Sequence, residues 1–426
     1  MKSSEEILTL NEEQHYVLDR LSDLKGVLFL TGKAGTGKST LFNVFNKVSD
    51  KKIVVLAPTG VAAVNVGGQT IHSFFKFPPG FITTKDYRPI KHSLLKKIEL
   101  LVIDEISMVR ADMLDHIDRL LRISAKSNEP FGGIPMLWIG DLYQLPPIIS
   151  TAEEREYFVK NYESPYFFSS QVMKELKEFE LIELSQVFRQ DEQTFIRMLN
   201  KIRVNEIDED DLMEINDRCL SLPSDFEEPV ITLCTTNALA NQINQTELDK
   251  IDSEARIFLA RITGQVSASM YPVDQQLILK EGAQIMTIRN ATDKSYVNGS
   301  LGTIISIHPD SITIKFPHSE KSITLGYENW DIIKYKTEGE ELSKETIGTF
   351  QQIPVKLAWA VTIHKSQGKT FESAIIDFGK GAFESGQTYV ALSRCRSLRR
   401  LYLKQKINWR DIRTDERVTE FLRMHS

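Results

Sequence analysis

The residues that most clearly predict a chemical function form one eight-residue stretch, GKAGTGKS at positions 32–39. It fits the pattern G-x-x-x-x-G-K-[ST], follows an apolar run typical of a buried strand, and opens a helical pattern. Glycines let such a loop curl so that its backbone N–H groups face phosphate oxygens, and the helix N-terminus adds partial positive charge. We predict a nucleoside triphosphate site in which Lys38 reaches the β- and γ-phosphates and Ser39 ligates Mg²⁺. The predicted nucleotide-binding residues of the loop are Gly35, Thr36, Gly37, Lys38, Ser39 and Thr40.

Acidic and amide side chains end the strands that we expect beside this loop. Asp104 and Glu105 close the run ELLVIDE, and Gln144 lies in GDLYQLPP, which follows the run MLWI. Asp104 is predicted to hold Mg²⁺ through its water shell, and Glu105 to orient and deprotonate the attacking water. Gln144 is predicted to sense the γ-phosphate. Such a site hydrolyses a triphosphate by positioning and charge stabilisation more than by covalent chemistry.

These motifs need strands that end at one edge of a parallel sheet, where ligands bind in α/β proteins. Four apolar runs alternate with helical patterns and read as such strands: residues 27–32, 53–58, 99–105 and 136–141. A second group begins near Leu181 and continues at 231–236, 373–378 and 400–404. Two segments interrupt the pattern. Residues 254–352 contain short alternating strands and predict an SH3-like all-β insertion, while residues 74–97 are irregular and predict a smaller one.

Length and composition set limits on the class of protein. With 426 residues, the chain exceeds the ~250–300 residues at which one core stops growing, so at least two domains are expected. No apolar run approaches ~18 residues, which predicts no membrane span, and the N-terminus resembles neither a signal nor a transit peptide. We expect a cytoplasmic protein, or a nuclear or mitochondrial one in a eukaryote.

Charge and cysteine placement refine this picture. Cys219, Cys234 and Cys395 lie far apart without a C-x-x-C pair, which favours buried apolar residues over a zinc site. The net charge is −6, yet residues 385–410 carry seven Lys or Arg and no acid. Local basic regions of this kind suit a polyanion better than the total charge suggests.

The order of motifs resembles that of superfamily-one helicases over almost the whole chain. The matching stretches are LNEEQ (10–14), the phosphate-binding loop GKAGTGKS (32–39, the P-loop), APTGVAA, TIHSFF, VIDEISM, GDLYQLPP, QVFRQ, VTIHKSQGKTFE and YVALSRCRS. They resemble the RecD-like branch, and residues 111–134 resemble the signature segment of the PIF (petite integration frequency) helicases. The resemblance implies an α/β fold of two tandem RecA-like P-loop lobes. Lobe 1A would span 1–180 with a wedge insertion 1B at about 74–97, and lobe 2A would span 181–253 and 353–426, interrupted by the SH3-like insertion 2B at 254–352.

The resemblance also implies roles for residues outside the P-loop. Gln14 would read the adenine edge with its amide. Arg189 and Arg394 would come from the second lobe and meet the γ-phosphate as arginine fingers. Gly368 would approach the nucleotide closely, because it lacks a side chain.

A nucleic-acid track is implied along both lobes. In the first lobe, Thr59 with the backbone of Gly60 and Val61 would bind phosphate, and His72 and Phe74 would contact bases. In the second lobe and its insertion the expected contacts are Thr235, Asn237, Asn298, Thr362, His364, Lys365 and Ser366. Three alternatives stay open: Thr59 as a helix cap, His364 as a structural histidine, and Phe75 and Phe77 as core. The turn at residues 78–81 is the predicted strand-separating wedge, with a packing loop as the alternative.

The resemblance therefore implies an ATP-dependent 5′-to-3′ DNA helicase acting on single-stranded DNA, junctions, forks or G-quadruplexes. Such an enzyme would serve replication, repair, recombination and telomere maintenance, as a monomer or as a dimer on DNA. One alternative is a single-strand translocase or protein-displacing ATPase without net unwinding. A second alternative is a nucleotide-controlled binding module that does not move directionally.

Overall fold

The computed structural model describes most of the chain. The described residues are 10–78, 80–149, 151–190, 192–219, 228–264, 268, 271–291, 293, 295–317, 319, 321–338 and 341–425.

The first lobe is built on a six-stranded parallel sheet in the order β3-β2-β4-β5-β1-β6. Its strands are β1 (Val27–Gly32), β2 (Ile53–Ala57), β3 (Gln69–Thr70), β4 (Leu100–Asp104), β5 (Met136–Ile139) and β6 (Phe179–Leu184). Every residue of β1 and β4 is buried. Strands covered on both faces are expected to be continuously apolar, so the four strands predicted for this lobe are confirmed.

Strand β6 corrects the predicted boundary between the lobes. The sequence analysis ended the first lobe at residue 180 and assigned the run near Leu181 to the second lobe. Residues Phe179 to Leu184 instead pair in register with Val27 to Gly32. The first lobe therefore continues through Leu184. Because β6 is an edge strand with four half-buried positions and one exposed, it lacks the continuous apolar pattern of its neighbours.

Helices cover both faces of this first sheet. They are α1 (Glu12–Ser22), α2 (Lys38–Val48), α3 (Gly60–Asn65), α4 (Ile71–Phe75), α5 (His92–Leu95), α6 (Ala111–Ala125) and α7 (Ala152–Asn161). Helix α1 begins with a capping box in which Asn11 and Gln14 bond each other's backbone N–H groups. Between α4 and α5 the chain forms one 3₁₀ turn (Thr84–Asp86) and, in its described residues, no strand. This irregular stretch agrees with the predicted small insertion.

The second lobe has a four-stranded parallel sheet in the order β18-β7-β19-β20. Its strands are β7 (Ile231–Cys234), β18 (Ala360–Thr362), β19 (Ala374–Asp377) and β20 (Leu401–Leu403). Its helices are α8 (Gln193–Arg203), α9 (Glu209–Asn216), α10 (Asn237–Asp249) and α11 (Gln387–Leu392). The three strands that were predicted here at 231–236, 373–378 and 400–404 are confirmed.

The last helix, α12 (Glu416–His425), packs against the first lobe. The Phe421 ring stacks on Phe168 at 4.5 Å between centroids and meets Phe167 edge-on at 6.0 Å. One hydrophobic cluster contains residues of both sheets together with Phe421. The two lobes therefore share apolar packing.

An all-β insertion interrupts the second lobe, as predicted. It contains a five-stranded antiparallel sheet, β14-β13-β12-β11-β17, a three-stranded sheet, β15-β16-β9, and the pair β10-β8. The strands are β8 (Arg256–Leu259), β9 (Arg261–Gly264), β10 (Gln276–Leu279), β11 (Gln284–Thr287), β12 (Leu301–Ile307), β13 (Ser311–Lys315), β14 (Ile323–Gly326), β15 (Glu328–Glu338), β16 (Glu341–Gln352) and β17 (Val355–Leu357). Because β17 pairs with β11, the insertion extends to Leu357 and the predicted end at residue 352 is too early.

Candidate active site and nucleic-acid interface

The P-loop joins β1 to α2 through glycines in the left-handed region. Gly35 has φ +86° and Gly37, the N-cap of α2, has φ +82°. Residues other than glycine seldom adopt these φ angles, so the backbone conformation of the loop requires glycine at both positions. Lys38 Nζ donates to the carbonyls of Gly32 at 2.7 Å and Lys33 at 3.0 Å. The loop thus curls around the ammonium group, as a phosphate cradle requires.

The segment after β6 lies directly on this loop. Phe188 N donates to Gly35 O at 2.9 Å. A Cβ on Gly35 would stand 2.4 Å from Arg189 Cβ, so glycine is also needed for this close approach. Arg189 Nη1 donates to Ser393 O at 3.5 Å. Arg189 therefore reaches the site from the connection between the lobes, which corrects its predicted origin in the second lobe.

Asp104 ends β4 and Glu105 follows it with φ +52°. A left-handed glutamate is unusual, and such conformations collect at functional sites. Burial raises the pKa of both carboxyl groups, and the neighbouring Asp104 charge raises that of Glu105 further. A carboxyl group whose pKa lies closer to neutrality suits the predicted general base.

The hydroxyl of Ser39 and the carboxylate of Asp104 are hard oxygen donors of the kind that Mg²⁺ prefers. Ser39 is exposed in the first turn of α2, and Asp104 lies at the end of the adjacent sheet. Thr40, the next residue of α2, is also exposed, whereas Thr36 is buried and its hydroxyl donates to Lys33 O at 3.0 Å. The donor set therefore fits a magnesium site.

Arg394 lies at the same site from the side of the second lobe. Both Lys38 and Arg394 act to lower the pKa of Glu105, so both cations lie near enough to this carboxylate to interact with it electrostatically. Arg394 is buried, and Nε donates to Val390 O at 2.8 Å while Nη2 donates to Ser393 Oγ at 2.7 Å. Burial and the charge of Arg189 lower the pKa of Arg394 to about 9. In this conformation the guanidinium is bonded to its own lobe.

Gln14 lies beside the P-loop, and Gln144 lies between Asp141 and the second lobe. A Cβ on Gly37 would lie 3.2 Å from Gln14 Nε2, which places this amide at the start of α2. Gln144 Nε2 donates to Asp141 Oδ2 at 3.1 Å, and Gln144 Oε1 accepts from Gln367 Nε2 at 3.4 Å. Gln144 therefore connects the first lobe to the segment that precedes Gly368, which has φ +73°.

Two second-lobe side chains at this site were missed by the sequence analysis. Tyr389 is buried, and its hydroxyl accepts a hydrogen bond from Ala34 N of the P-loop at 2.8 Å. Arg203 is 6% exposed and pairs with Asp141 and Glu183 of the first lobe. Tyr389 lies inside YVALSR, so its motif was a usable signal, whereas nothing in the sequence marked Arg203.

The first-lobe track residues serve local structure as well. Thr59 caps α3, since its Oγ1 accepts from Ala62 N at 3.2 Å. Gly60 and Val61 form the first turn of α3, where backbone N–H groups have no intrahelical acceptor. His72 is half-buried, and burial lowers its pKa. Phe74 packs partly against the core, edge-on to Phe75 at 5.0 Å. Phosphate binding by the start of α3 stays a prediction.

The second-lobe residues that were predicted to contact DNA fall into two groups, one accessible to solvent and one buried. Asn237 and Lys365 are exposed, and His364 is half-buried with Nε2 3.0 Å from Glu384 Oε2. Three hydroxyl groups are buried and bonded within the lobe: Thr235 to Phe378 O, Ser366 to Ile363 O, and Thr362 from Lys365 N. Their contact with DNA stays a prediction.

Asn298 of the insertion joins the two lobes across the predicted track. Its Oδ1 accepts from Lys369 Nζ at 2.5 Å, and its Nδ2 donates to Asn65 Oδ1 at 3.4 Å. Asn65 ends α3, the helix that Thr59 begins. The structure therefore brings together the first lobe, the insertion and the second lobe at Asn298.

The predicted wedge is partly described. Pro79 lies outside the described residues, while Phe81 is 43% exposed and its ring meets Tyr157 edge-on at 5.3 Å. Phe75 and Phe77 are buried, which confirms the core alternative for both. In the part of the chain that the structure describes, no helix is long and apolar enough to cross a membrane.

The chain is similar in sequence to one protein family and to several of its named members. A model of the family described as PIF1-like helicase matches residues 9–212. The ATP-dependent DNA helicase PIF1 of Homo sapiens is 33% identical over 427 residues, which cover 97% of this chain and 63% of the human protein. The chain thus spans less than two thirds of the human relative. The ATP-dependent DNA helicase Pif1 of Bdellovibrio bacteriovorus is 31% identical over 432 residues, covering 97% of this chain and 92% of that protein.

Solved structures of Pif1 from Bacteroides sp. match the fold of this chain over nearly its whole length. The complex with ADP-AlF4 has a TM-score of 0.87 at 38% identity, covering 98% of this chain and 97% of that one. The complex with single-stranded DNA has a TM-score of 0.72 at 38% identity, covering 97% and 96%. On identity and coverage together, the chain belongs to the PIF1-like helicase family, whose named members are ATP-dependent DNA helicases.

Proposed function

We propose that this chain hydrolyses ATP to move 5′ to 3′ along single-stranded DNA and unwinds the duplex ahead of it. The observation that carries the proposal is the convergence of both lobes on the P-loop. Lys38 and Glu105 come from the first lobe, Tyr389 and Arg394 from the second, and Arg189 from the connection between them. A triphosphate held there contacts both lobes, so its cleavage changes how they fit together.

In the proposed mechanism, the P-loop backbone and Lys38 bind the phosphates, and Gln14 contacts the base. Glu105 accepts the proton of the attacking water, which its raised pKa favours near neutral pH. Arg189 and Arg394 stabilise the charge that develops on the transferred phosphoryl group. Mg²⁺, held by Ser39 and Asp104, would neutralise phosphate charge when bound. Gln144 relays the state of the γ-phosphate through Gln367 to the second lobe.

The strand would lie where α3, Asn298 and the His364–Lys365 turn meet. Contacts of this kind bind phosphate and stack on bases, so sequence preference should be small and binding should weaken with salt. The names of relatives support DNA as the substrate, and a solved Pif1 structure that is 37% identical to this chain is described as the structural basis for DNA unwinding at forked duplex DNA. We extend the proposal to junctions and G-quadruplexes, to roles in replication, repair, recombination and telomere maintenance, and to action as a monomer in the compartment that holds the DNA.

The test uses two partial duplexes that differ only in the polarity of a single-stranded tail. With ATP and Mg²⁺, the 5′-tailed duplex should be opened and the 3′-tailed one should not. Lys38→Ala should abolish hydrolysis and unwinding while binding to labelled single-stranded DNA survives, because Lys38 contacts phosphate and not the strand. Opening of the 3′-tailed duplex alone would contradict the proposed direction.

A translocase without net unwinding is the second candidate, favoured by the packing of Phe81 on Tyr157. A wedge ring that is half-covered by its own lobe presents less apolar surface to a base pair. Displacement of streptavidin from a biotinylated single strand, with no opening of either tailed duplex, would select this candidate.

A further inference from the structure

A buried arginine outside the helicase motifs crosses between the lobes beside the nucleotide site. Arg203 ends α8 and is 6% exposed. Its Nη1 donates to Glu183 Oε1 at 3.0 Å and its Nη2 to Asp141 Oδ1 at 3.4 Å. The guanidinium also lies 4.3 Å above the centre of the Tyr143 ring. All three partners belong to the first lobe, whereas α8 packs against α11 of the second.

Asp141 is the partner that connects Arg203 to the chemistry. Its carboxylate has no exposed side-chain surface, and it also accepts from Tyr143 N at 3.2 Å and Gln144 Nε2 at 3.1 Å. The charge of the same carboxylate acts to raise the pKa of Glu105, and it opposes the larger effect of burial, which lowers the pKa of Lys38 and Arg394. Asp141 therefore both holds the predicted γ-phosphate sensor and contributes negative charge to the site.

A buried carboxylate at this place opposes the binding of a polyanion unless a cation compensates it. Burial alone would lower the pKa of Arg203, and the acidic groups around it more than reverse that effect. The Arg203 guanidinium therefore keeps its charge in this buried position. Breaking a buried ion pair by removal of one partner leaves an uncompensated charge, which is costly. Because Arg203 lies on α8, which packs against α11 of the second lobe, the compensation depends on the two lobes being together.

We propose that Arg203 is a positioning residue of the ATPase reaction. By pairing with Asp141 across the lobe boundary, it neutralises that carboxylate and fixes Gln144 when the lobes are together. Separation of the lobes withdraws Arg203, leaves Asp141 uncompensated beside the phosphates, and frees Gln144. Nucleotide affinity and the placement of the sensor thus depend on one contact. This inference rests on the proposed ATPase function.

The experiment compares Arg203→Met with Arg197→Met, a matched control on the same helix. Arg197 pairs with Asp211 within the second lobe at 3.1 Å and its side chain is 59% exposed. We expect Arg203→Met to weaken binding of a fluorescent non-hydrolysable ATP analogue with Mg²⁺ about tenfold, because Asp141 is left unpaired. DNA-stimulated turnover should fall about 100-fold, since the sensor is also released. Arg197→Met should match the wild type within about twofold, as surface substitutions usually do.

A second substitution separates charge from support of the fold. Adding Asp141→Asn to Arg203→Met removes the uncompensated charge, so analogue affinity should return to within about threefold of the wild type while turnover stays low. A merely structural arginine would show no such recovery. If Arg203→Met fails to fold by thermal melting, Arg203→Lys keeps the charge and loses the planar fork. Its turnover should fall about tenfold with analogue affinity preserved, since only the geometry is lost.

The outcomes are distinguishable from failure of the proposed function. A wild-type protein without DNA-stimulated hydrolysis would overturn that function. An active wild type with Arg203→Met behaving like Arg197→Met would overturn only the role of Arg203. So would wild-type turnover in Arg203→Lys, or a double variant whose analogue affinity is no better than that of Arg203→Met.

Discussion

The two halves of the nucleotide site are organised differently. On the first lobe, the P-loop glycines already hold the backbone in the curled conformation around Lys38, and the acids stand at the strand end. On the second lobe, Arg394 is buried with its guanidinium bonded to the carbonyl of Val390 and the hydroxyl of Ser393. Both cations are bonded to their own lobe, but Lys38 stands in a loop whose backbone is already curled for phosphate, whereas the Arg394 guanidinium is buried and must exchange its bonds to the second lobe for bonds to a phosphate. The difference suggests that the second half carries the control of the reaction.

Removal of Arg394 should have the largest effect. Arg394→Ala is expected to lower DNA-stimulated kcat by about 10³- to 10⁵-fold, because the guanidinium stabilises transition-state charge. The affinity for ADP should change much less, since a group used only in the transition state contributes little to ground-state binding. Phosphate release measures kcat, and anisotropy of a fluorescent ADP measures affinity. A parallel loss in both would mean that the second-lobe half is as preformed as the first.

The second-largest effect is expected from pH. On the acidic side of the pH profile, kcat should fall about tenfold per pH unit. Burial and Asp104 raise the pKa of Glu105, so the carboxyl group is protonated, and inactive as a base, at a higher pH than an ordinary glutamate. The rate kcat should therefore fall as pH drops, starting well above the usual carboxyl range. Glu105→Gln should leave only a small residual rate without this limb. A profile flat down to ordinary carboxyl pKa values would contradict the assignment.

Loss of the Tyr389 hydroxyl should have the smallest effect. Tyr389→Phe removes only the bond from Ala34 N and keeps the buried ring. One hydrogen bond contributes about 0.5–1.5 kcal/mol, so kcat should fall about 2- to 10-fold with little change in the melting temperature. Tyr402→Phe, a half-buried tyrosine of β20 in the same lobe, is the control. Equal rates in both variants would show that the P-loop needs no contact from the second lobe.

Much of the fold was predictable because short stretches of sequence determine its buried strands and its P-loop. Buried parallel strands are continuously apolar and the P-loop has a fixed spacing, so β1, β2, β4 and β5 were found from the sequence. Strand β6 was assigned to the wrong lobe because FELIEL has polar residues at an edge. The end of the insertion was placed too early because β17 has three residues.

The site was predictable only where one motif contains all the partners. Arg203 pairs with Asp141, 62 positions earlier, and with Glu183, 20 positions earlier, so spacing carried no signal. Ser366 lies in a donor-rich motif, yet its hydroxyl is used inside the turn. Whether a polar side chain faces the strand or its own backbone depends on burial, which the identity of the residue does not reveal.

The packing of α12 has a mechanical consequence. The chain leaves the first lobe after Leu184, and its last helix returns to that lobe, where Phe421 stacks on Phe168 and Arg417 donates to Glu163 O at 3.0 Å. These contacts tie the last helix of the chain to the first lobe, although the helix follows the second lobe in sequence. A movement that separates the two lobes must therefore either break these contacts or leave α12 on the first lobe.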